Sequence, residues 1–452
     1  PSEIIFQRST EIPSQLKNKN CFKLEDWAYQ YNFAYEKLNS HFKTKSLKGF
    51  GIDEQKLGIT AAGAIFAYLV EDTHHALLQH ITKIQSIPQD DYLMMDNFTL
   101  RNLEIVHSSN FQGKSLLDII DKTSTAMGGR LLRRRLILPL KSVNEINRRL
   151  SLIEFFNKEE SLKFEILDLL KGISDLDRLV GKLAAEKISP KELGYLRQSL
   201  INIQKIRELL SSHHDVLAWL EPLNNLEELI SYLQNHLNEE LPVNLNKGNV
   251  IKSEVSEELD RLRNLQTKGK GFLDEMCQRE IERTGISSLK IDFNNVFGYY
   301  IEVRNTHKDK VPEDWIRKQT LVNAERYITE ELKEYETQIL GAEEKISQIE
   351  HQLYRQVCEN VMMYIDQIQE NSNLIAQLDC AVSLSELAIS ENYTKPFLNE
   401  TFAIDIKEGR HPIIEKSLPL GEKYIPNDVF LDKDAQQIIM VTGPNMAGKS
   451  AI

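Results

Sequence analysis

A heptad repeat of apolar residues constrains the fold of this chain more than any other feature. Apolar side chains recur at alternating spacings of three and four residues over three heptads, at Leu332, Tyr335, Ile339, Ala342, Ile346, Ile349 and Leu353. Such a repeat predicts a long helix that packs one seam against a partner helix. A rougher apolar stripe between Ile251 and Arg283 can supply that partner, and we expect the two helices to run antiparallel.

The segment between these two helices changes to a period of two residues. Leu289, Ile291 and Phe293 alternate with polar residues, which is typical of a half-buried strand. We therefore expect a small β-rich module at the tip of a helical stalk. Residues 283–326 contain eight basic and six acidic side chains, so the tip carries a net charge of +2 within a chain of net charge −12.

Two interpretations of this charged tip are open at this point. One is a solvated surface of mixed charge. The other is a tip that contacts phosphates, because Lys, Arg and Asn side chains bind the nucleic-acid backbone without distinguishing bases. The acidic remainder of the chain would then stay away from a duplex.

Composition favours a largely helical chain of several domains. The 452 residues include only 20 Gly and 13 Pro, which disfavours a turn-dense all-β fold. The longest uncharged apolar run, 58–70, is too short to span a membrane, and four scattered cysteines argue against a disulfide framework or a zinc site. We therefore expect a cytoplasmic protein with no membrane-spanning segment.

A motif near the end of the sequence carries nucleotide chemistry. The apolar run 437–442 is typical of a buried strand, and the residues after it match the P-loop pattern, in which backbone N–H groups surround the α and β phosphates. In that pattern Lys449 reaches the β and γ phosphates, and the Ser450 hydroxyl binds Mg²⁺. The predicted nucleotide-binding residues are Gly443, Pro444, Asn445, Met446, Ala447, Gly448, Lys449 and Ser450.

This P-loop resembles that of the MutS family of DNA mismatch repair ATPases, since few other P-loops contain Gly-Pro-Asn-Met. Further blocks resemble family blocks in the family's order: MGGRLL at 127–132, FGYYIE at 297–302, RKQT at 317–320, NAERY at 323–327 and EGRHP at 408–412. The resemblance covers nearly the whole chain. Ala447 and Ala451 stand where many members have Gly and Thr, but nucleotide binding should survive because Lys449 and Ser450 are kept.

The resemblance implies a mainly α fold with α/β pieces. It implies a helical lever core whose long antiparallel helices carry a small β-rich clamp, flanked by the end of an α/β connector domain and the start of a P-loop ATPase domain. The implied boundaries are 1–75 for the connector, 76–250 for the first part of the core, 251–335 for the lever arm and clamp with its tip at about 284–328, 336–395 for the returning helix and second part of the core, and 396–452 for the ATPase domain.

Site residues follow from the same resemblance. The clamp of this family grips the DNA backbone non-specifically, which favours the phosphate-contacting interpretation of the tip. The implied DNA-binding residues are Arg304, Asn305, Lys308, Lys310, Arg317, Lys318 and Asn323. The segment 423–427 resembles the family stretch whose aromatic residue stacks on adenine, so Tyr424 and Ile425 are the expected base contacts.

The implied function is ATP-dependent recognition of mispaired double-stranded DNA, with ATP and Mg²⁺ as cofactors. A homodimer, a MutL-type repair partner and a bacterial-type cytoplasmic, nucleoid-associated location are implied with it. The sequence starts at Pro1 and stops two residues after Ser450. We therefore expect a fragment that has neither a Walker B carboxylate nor the mismatch-reading domain, and that does not hydrolyse ATP by itself.

Two alternatives are considered beside this function. The first is a MutS paralogue that acts on recombination intermediates or other branched DNA. The second is a coiled-coil DNA-organising ATPase of the SMC kind. That second class places its P-loop before the coiled coil, whereas here the P-loop follows it.

Overall fold

The computed structural model of the chain describes residues 3–72, 78, 80–87, 89–110, 113–294, 298–419 and 421–443. The strands are β1 Ile4–Gln7, β2 Cys21–Leu24, β3 Lys290–Asn294, β4 Gly298–Arg304, β5 Ile316–Thr320, β6 Ala324–Ile328, β7 Ile404–Gly409 and β8 Asn427–Leu431. The helices are α1 Tyr31–His41, α2 Lys56–Ala67, α3 Asn97–Asn102, α4 Leu116–Ile120, α5 Ala126–Ile137, α6 Val143–Lys158, α7 Glu160–Lys171, α8 Leu176–Ala184, α9 Pro190–Ser211, α10 Leu217–Leu220, α11 Glu227–His236, α12 Glu257–Thr284, α13 Glu330–Met362, α14 Ile365–Glu391 and α15 Pro412–Ser417. The prediction of a mainly α fold with α/β pieces is confirmed.

The chain divides into two compact units. The first unit comprises Pro1–Ile188, Gln198–Glu227 and Tyr364–Ile452, and the second comprises Ser189–Arg197 and Glu228–Met363. In the first unit, β1 and β2 pair in parallel beside α1 and α2, whose apolar faces share a core that includes Leu38, Ile59 and Phe66.

Helix α14 is the central helix of the first unit, because α5, α6, α7 and α8 all pack on it. Its buried residues lie on more than one side, as expected of a helix enclosed by others. The buried Asp379 carboxylate accepts hydrogen bonds from the backbone N–H of Ser124 (2.9 Å), the N–H of Thr125 (2.8 Å) and the Thr125 hydroxyl (2.6 Å). These bonds fix the start of α5 against α14.

Helices α12 and α13 of the second unit form the predicted antiparallel pair. Gln266 Nε2 on α12 donates to Glu343 Oε1 on α13 at 3.0 Å. Further along α12, Arg279 Nη2 donates to Glu331 Oε2 at 2.5 Å. Later residues of α12 therefore contact earlier residues of α13, which shows that the two helices are antiparallel. The heptad prediction is therefore confirmed, and Leu332 and Ala342 of its seam are buried.

Local capping explains where these two long helices begin and end. The Ser256 side chain accepts a hydrogen bond from the N–H of Leu259 at the start of α12, and Thr329 does the same for Leu332 at the start of α13. Ser and Thr at this position satisfy N–H groups that have no partner inside the helix. Gly285, with φ of 68°, ends α12 in the left-handed conformation that glycine adopts readily.

The end of the pair remote from the tip is held by a buried ion pair. Glu350 on α13 is 1% exposed, and Arg263 on α12 donates to its carboxylate. The N–H of Val250 donates to the same carboxylate oxygen at 3.3 Å, and Arg263 Nη2 also donates to the carbonyl of Ile251 at 2.9 Å. One carboxylate thus joins both helices and the segment that precedes α12.

The tip between α12 and α13 is a four-stranded antiparallel sheet in the order β3-β4-β6-β5. The predicted β-rich module is therefore confirmed. Its core is shared with the two helices, since Ile301, Val303 and Trp315 of the tip are buried together with Met276, Leu332 and Tyr335. The sheet is consequently an extension of the helix pair and shares its hydrophobic core.

The prediction of a buried strand at 437–442 is wrong. Ile438 is 83% exposed and Met440 is 84% exposed, and no described strand pairs with this run. A strand is stable only when neighbouring backbone satisfies its N–H and C=O groups. Without such a neighbour in the described part of the chain, the apolar residues stay in contact with solvent.

The described ranges contain neither a candidate membrane-spanning helix nor a candidate metal cluster. None of the helices there combines the length and the apolar character needed to cross a membrane. Over the same residues, no group of His, Cys, Asp and Glu side chains is placed to hold a metal ion. The four cysteines are free thiols.

Replacing Glu350 with Ala should destabilise the second unit by about 3 kcal/mol, because Arg263 would lose its buried counter-charge. Glu359→Ala on the same helix is the matched control. Glu359 pairs with Arg355 at the surface, where the side chains are 61% and 70% exposed, so its loss should cost less than about 0.5 kcal/mol. Urea unfolding followed by circular dichroism measures both changes in the free energy of unfolding. Equal effects of the two substitutions would contradict the conclusion that the buried ion pair holds the two helices together.

Candidate nucleic-acid interface

The strands of the tip present two different faces. Side chains alternate along a strand, so Tyr299, Ile301 and Val303 of β4 point towards the helices, and the rings of Tyr299 and Tyr335 meet edge to face at 5.7 Å. The intervening residues of β4, including Glu302 and Arg304, lie on the opposite face. That outer face is where charged side chains reach solvent.

Arg326 of β6 occupies the centre of the outer face. Its guanidinium carbon lies 4.1 Å from the ring centroid of Tyr300. Its Nε donates to Glu302 at 3.2 Å, and its Nη1 donates to Gln319 at 3.0 Å. The charge of Arg326 is therefore compensated, and the side chain joins β4, β5 and β6 across the sheet.

The other paired carboxylates of the tip are also held by neighbouring side chains. Two hydrogen bonds of 3.0 and 2.8 Å join Arg283 to Asp314, and these bonds, with the Arg283 charge, hold the pKa of that carboxyl below its usual range. Glu325 accepts from the Tyr327 hydroxyl, which lowers the pKa of Glu325, and it pairs with Arg317 at 3.4 Å. Burial raises the pKa of Tyr327 to about 12, so this donor stays protonated at neutral pH.

The remaining cations of the tip are exposed and have no ion pair with a described residue. They are Lys290, Arg304, Lys308, Lys310 and Lys318, and they outnumber the unpaired acidic residues Asp292, Asp309 and Glu313. Arg317 is 62% exposed but has Glu325 as a partner. The surplus positive charge of the tip therefore resides in side chains that can turn towards a ligand.

Several of the predicted DNA-binding residues meet at one end of the sheet. The N–H of Asn305 donates to the carbonyl of Asn323 at 3.2 Å, and its Nδ2 donates to the carbonyl of Val322 at 2.9 Å. These bonds join the end of β4 to the β5–β6 turn, whose Val322 is 92% exposed. Arg304 and Asn323 are exposed at the same end, and the short helical loop Asn305–Lys310 continues from it.

Lys318 is presented by a bulge in the edge strand β5. Arg317 pairs with Tyr327 and Gln319 pairs with Arg326, so Lys318 between them has no partner residue across the ladder. A bulge of this kind twists a strand and redirects its side chains. Lysine on an edge strand also discourages pairing with another chain, so Lys318 suits both a phosphate contact and a protected edge.

The stacking of the Arg326 guanidinium on the Tyr300 ring could not be predicted from the sequence. The alternation of residues shows that each can face solvent, but the register that places Glu302 opposite Arg326 appears only in the folded sheet. That register compensates Arg326, whereas Arg304, two residues beyond Glu302 on β4, lies opposite Ala324 and is exposed.

The predicted nucleotide site is described only in part. Residues 444–450, which include Lys449 and Ser450, lie outside the described residues. Tyr424 is half-buried and Ile425 is 80% exposed in the segment before β8. The side-chain amide of Asn427 donates to the carbonyl of Ile425 at 3.2 Å, which orders the backbone next to the two expected base contacts.

Comparisons with known proteins place this architecture in one family. The family model for MutS domain III matches residues 98–385, and that for MutS domain II matches residues 1–82. Proteins named DNA mismatch repair protein MutS are 54% identical in Flavobacterium psychrophilum, 53% in Flavobacterium johnsoniae and 48% in Bacteroides thetaiotaomicron. Each match covers 100% of this chain but only 53%, 52% and 53% of the relative, so the chain spans about half the length of these curated relatives.

Gly298→Ala should loosen the tip by about 1–3 kcal/mol. Gly298 has a φ of 76°, and a Cβ there would overlap the carboxylate of Glu336 on α13. Gly341→Ala is the control, because no atom lies within 4 Å of its Cβ position and alanine favours a helix by about 1 kcal/mol. Thermal unfolding of both variants measures the difference, and an unchanged midpoint for Gly298→Ala would contradict the close approach of β4 to α13.

Proposed function

This chain belongs to the MutS family, and from that premise we propose that its tip grips the backbone of double-stranded DNA during ATP-dependent recognition of mispaired bases. The observation that carries the proposal is the distribution of charge in the tip. The carboxylates of Glu302, Asp314 and Glu325 are held in ion pairs. The exposed cations near them are therefore available to phosphates.

In this proposal Arg304, Lys308, Lys310 and Lys318 contact phosphate oxygens, and Arg317 contributes from beside Glu325. Flexible lysines and an exposed arginine neutralise phosphates but do not by themselves read a sequence. The Asn305 side chain holds the turn through its bond to Val322, and both Asn305 and Asn323 are exposed there. The clamp region at about 284–328 would thus hold DNA of any sequence, and selectivity for mispairs would come from other residues of the protein.

The helix pair gives the tip a firm attachment. The tip shares its hydrophobic core with α12 and α13, and Glu350 joins the two helices at their other end. We propose that 251–335 and 336–395 form the lever arm and its return into the core, and that the arm transmits a change at the nucleotide site to the clamp. Such coupling requires an element with two arrangements that both sites bias.

We further propose that ATP and Mg²⁺ bind at 443–450 within an ATPase domain that begins near residue 396. Lys449 would hold the β and γ phosphates, Ser450 would bind the metal ion, and Tyr424 and Ile425 would contact the adenine. The exposure of Ile425 and the half-exposed ring of Tyr424 support a base contact there. Residues 1–75 and 76–250 would be the connector and the first part of the core.

The proposed partners are mispaired duplex DNA, a second copy of the protein and a MutL-type repair protein, acting in the cytoplasm at the nucleoid. The relatives are named as mismatch repair proteins, which favours mismatch repair over a role on recombination intermediates. The family also disfavours an SMC-like ATPase. Direct binding to junction DNA separates the recombination alternative from mismatch repair.

Binding of the chain to fluorescent homoduplex, single-mismatch and four-way-junction DNA should be weak and steeply salt-dependent, without preference for the mismatch. In the double variant Lys308→Ala/Lys310→Ala, two phosphate contacts are lost. The slope of log affinity against log salt should then become shallower by about 2. Fluorescence anisotropy over a series of salt concentrations measures this slope for all three DNA molecules.

The double variant Lys17→Ala/Lys19→Ala is the matched control, because it removes the same charge at the same spacing from exposed residues of the other unit. Its slope should equal that of the unmodified chain. An equal loss in both double variants would mean that only total charge matters. A strong preference for the four-way junction would support the recombination alternative instead.

A further inference from the structure

A cavity of about 320 Å³ lies within the helical part of the first unit. Helices α5, α6 and α14 provide most of its wall. The apolar side chains that line it include Leu132, Leu136, Ile146, Leu150, Ile153 and Leu384. The indole of Trp219 also lines it, so one wall offers an aromatic surface.

Three arginines share this apolar cavity. Arg135 comes from α5, while Arg148 and Arg149 come from α6, and Glu145 is the one carboxylate among the described residues of the lining. The side chains of Arg135 and Arg149 are partly buried. The Nε of Arg135 is fully buried and has no hydrogen-bond partner in the described part of the chain.

The two partly buried arginines lie close to each other. Burial lowers the pKa of Arg135 and of Arg149, and the positive charge of Arg135 lowers the pKa of Arg149 further. Arginine nevertheless stays protonated in proteins, so the cavity holds two like charges. Bringing unpaired charges out of water costs free energy that an opposite charge can offset.

No carboxylate of the described residues forms an ion pair with Arg135 or Arg149. Burial raises the pKa of the Cys380 thiol to about 12, so the thiol is neutral at pH 7. The oxygens of Asp379 already accept hydrogen bonds from Ser124 and Thr125. Glu145 is exposed on the same helix, one turn before Arg149, and its charge acts to raise the pKa of Arg149, but burial and Arg135 outweigh it and Glu145 forms no ion pair with a described residue.

The chemistry of the walls indicates which anion fits. A guanidinium group donates two parallel hydrogen bonds to a phosphate, and paired guanidinium groups suit a doubly charged one. Apolar side chains and an indole suit an aromatic body, and the cavity volume lies at the lower end of small-molecule sites. We propose that this cavity binds a small phosphorylated molecule of nucleoside monophosphate size, with its phosphate on Arg135 and Arg149 and its aromatic part against Trp219.

Calorimetric titration of the chain with deoxyadenosine monophosphate, inorganic phosphate and deoxyadenosine tests the proposal. All titrations use Lys449→Ala, which removes the lysine of the predicted P-loop. The monophosphate should bind most tightly, inorganic phosphate should compete with it, and deoxyadenosine should bind at least about tenfold more weakly, since it lacks the phosphate. Equal binding of deoxyadenosine and its monophosphate would overturn the assignment of the arginines.

Arg135→Gln and Arg149→Gln should each weaken monophosphate binding by about tenfold or more, which is the loss expected for one charged contact. The two residues lie on different helices, so a folding defect in one variant leaves the other informative. Arg134→Gln is the matched control, because Arg134 is an exposed neighbour that does not line the cavity. Circular dichroism of each variant verifies that it is folded.

A second readout locates the ligand. The chain has three tryptophans, Trp27, Trp219 and Trp315, so 5-fluorotryptophan labelling gives three fluorine resonances that single Trp→Phe variants assign. The monophosphate should shift the Trp219 resonance and leave the other two unchanged, and Arg135→Gln should abolish that shift. A Trp219 resonance that does not respond at saturating ligand, or a monophosphate affinity equal in Arg134→Gln and Arg135→Gln, would overturn the proposal.

Discussion

The antiparallel packing of α12 on α13 is the interaction on which the second unit depends. Its seam is apolar, the buried pair of Arg263 and Glu350 closes one end, and the aromatic rings of Phe272 and Tyr335 stack at 5.2 Å near the other. The strands β3 to β6 are inserted between the two helices and share their core. Any change in the register of the helices would therefore alter the sheet.

This packing decides which charged side chains of the tip are paired and which reach solvent. Counted along the sequence, the tip has a small positive surplus in an acidic chain. In the folded protein, Arg283 at the end of α12 and Arg317 and Arg326 of the sheet are paired with carboxylates, whereas Arg304 and the lysines of the tip reach solvent. Short-range pairing thus decides which cations can meet a phosphate, because exposed charges more than about 10 Å apart are largely screened at physiological salt.

Much of the fold could be predicted from local patterns. The heptad repeat requires a long helix with a partner, and alternation after Leu289 requires a strand, since each pattern fits one backbone geometry. At the start of α9, the Ser189 N–H donates to the Glu192 carboxylate at 3.1 Å, a capping bond between residues only three positions apart. These features depend on neighbours within a few residues, so the sequence contains the information they need.

Other features depend on neighbours that are remote in sequence. The stacking of Arg326 on Tyr300 requires the pairing of β4 with β6, and the cavity of Arg135 and Arg149 requires the packing of α5, α6 and α14. The apolar run 437–442 led to a wrong prediction for the same reason, because composition does not show whether a strand has a partner. DNA contacts at Arg304 and Lys318 stay predictions, supported by exposure and charge.

Hydrogen–deuterium exchange of the chain with and without a homoduplex tests the central claim most directly, since it reports each segment's contact with DNA. The account predicts slower exchange of backbone amides in 304–310 and 316–326 when duplex is bound, and little change along α14. It also predicts that this protection weakens as salt is raised. Protection confined to the first unit, with the tip exchanging as fast as without DNA, would contradict the account.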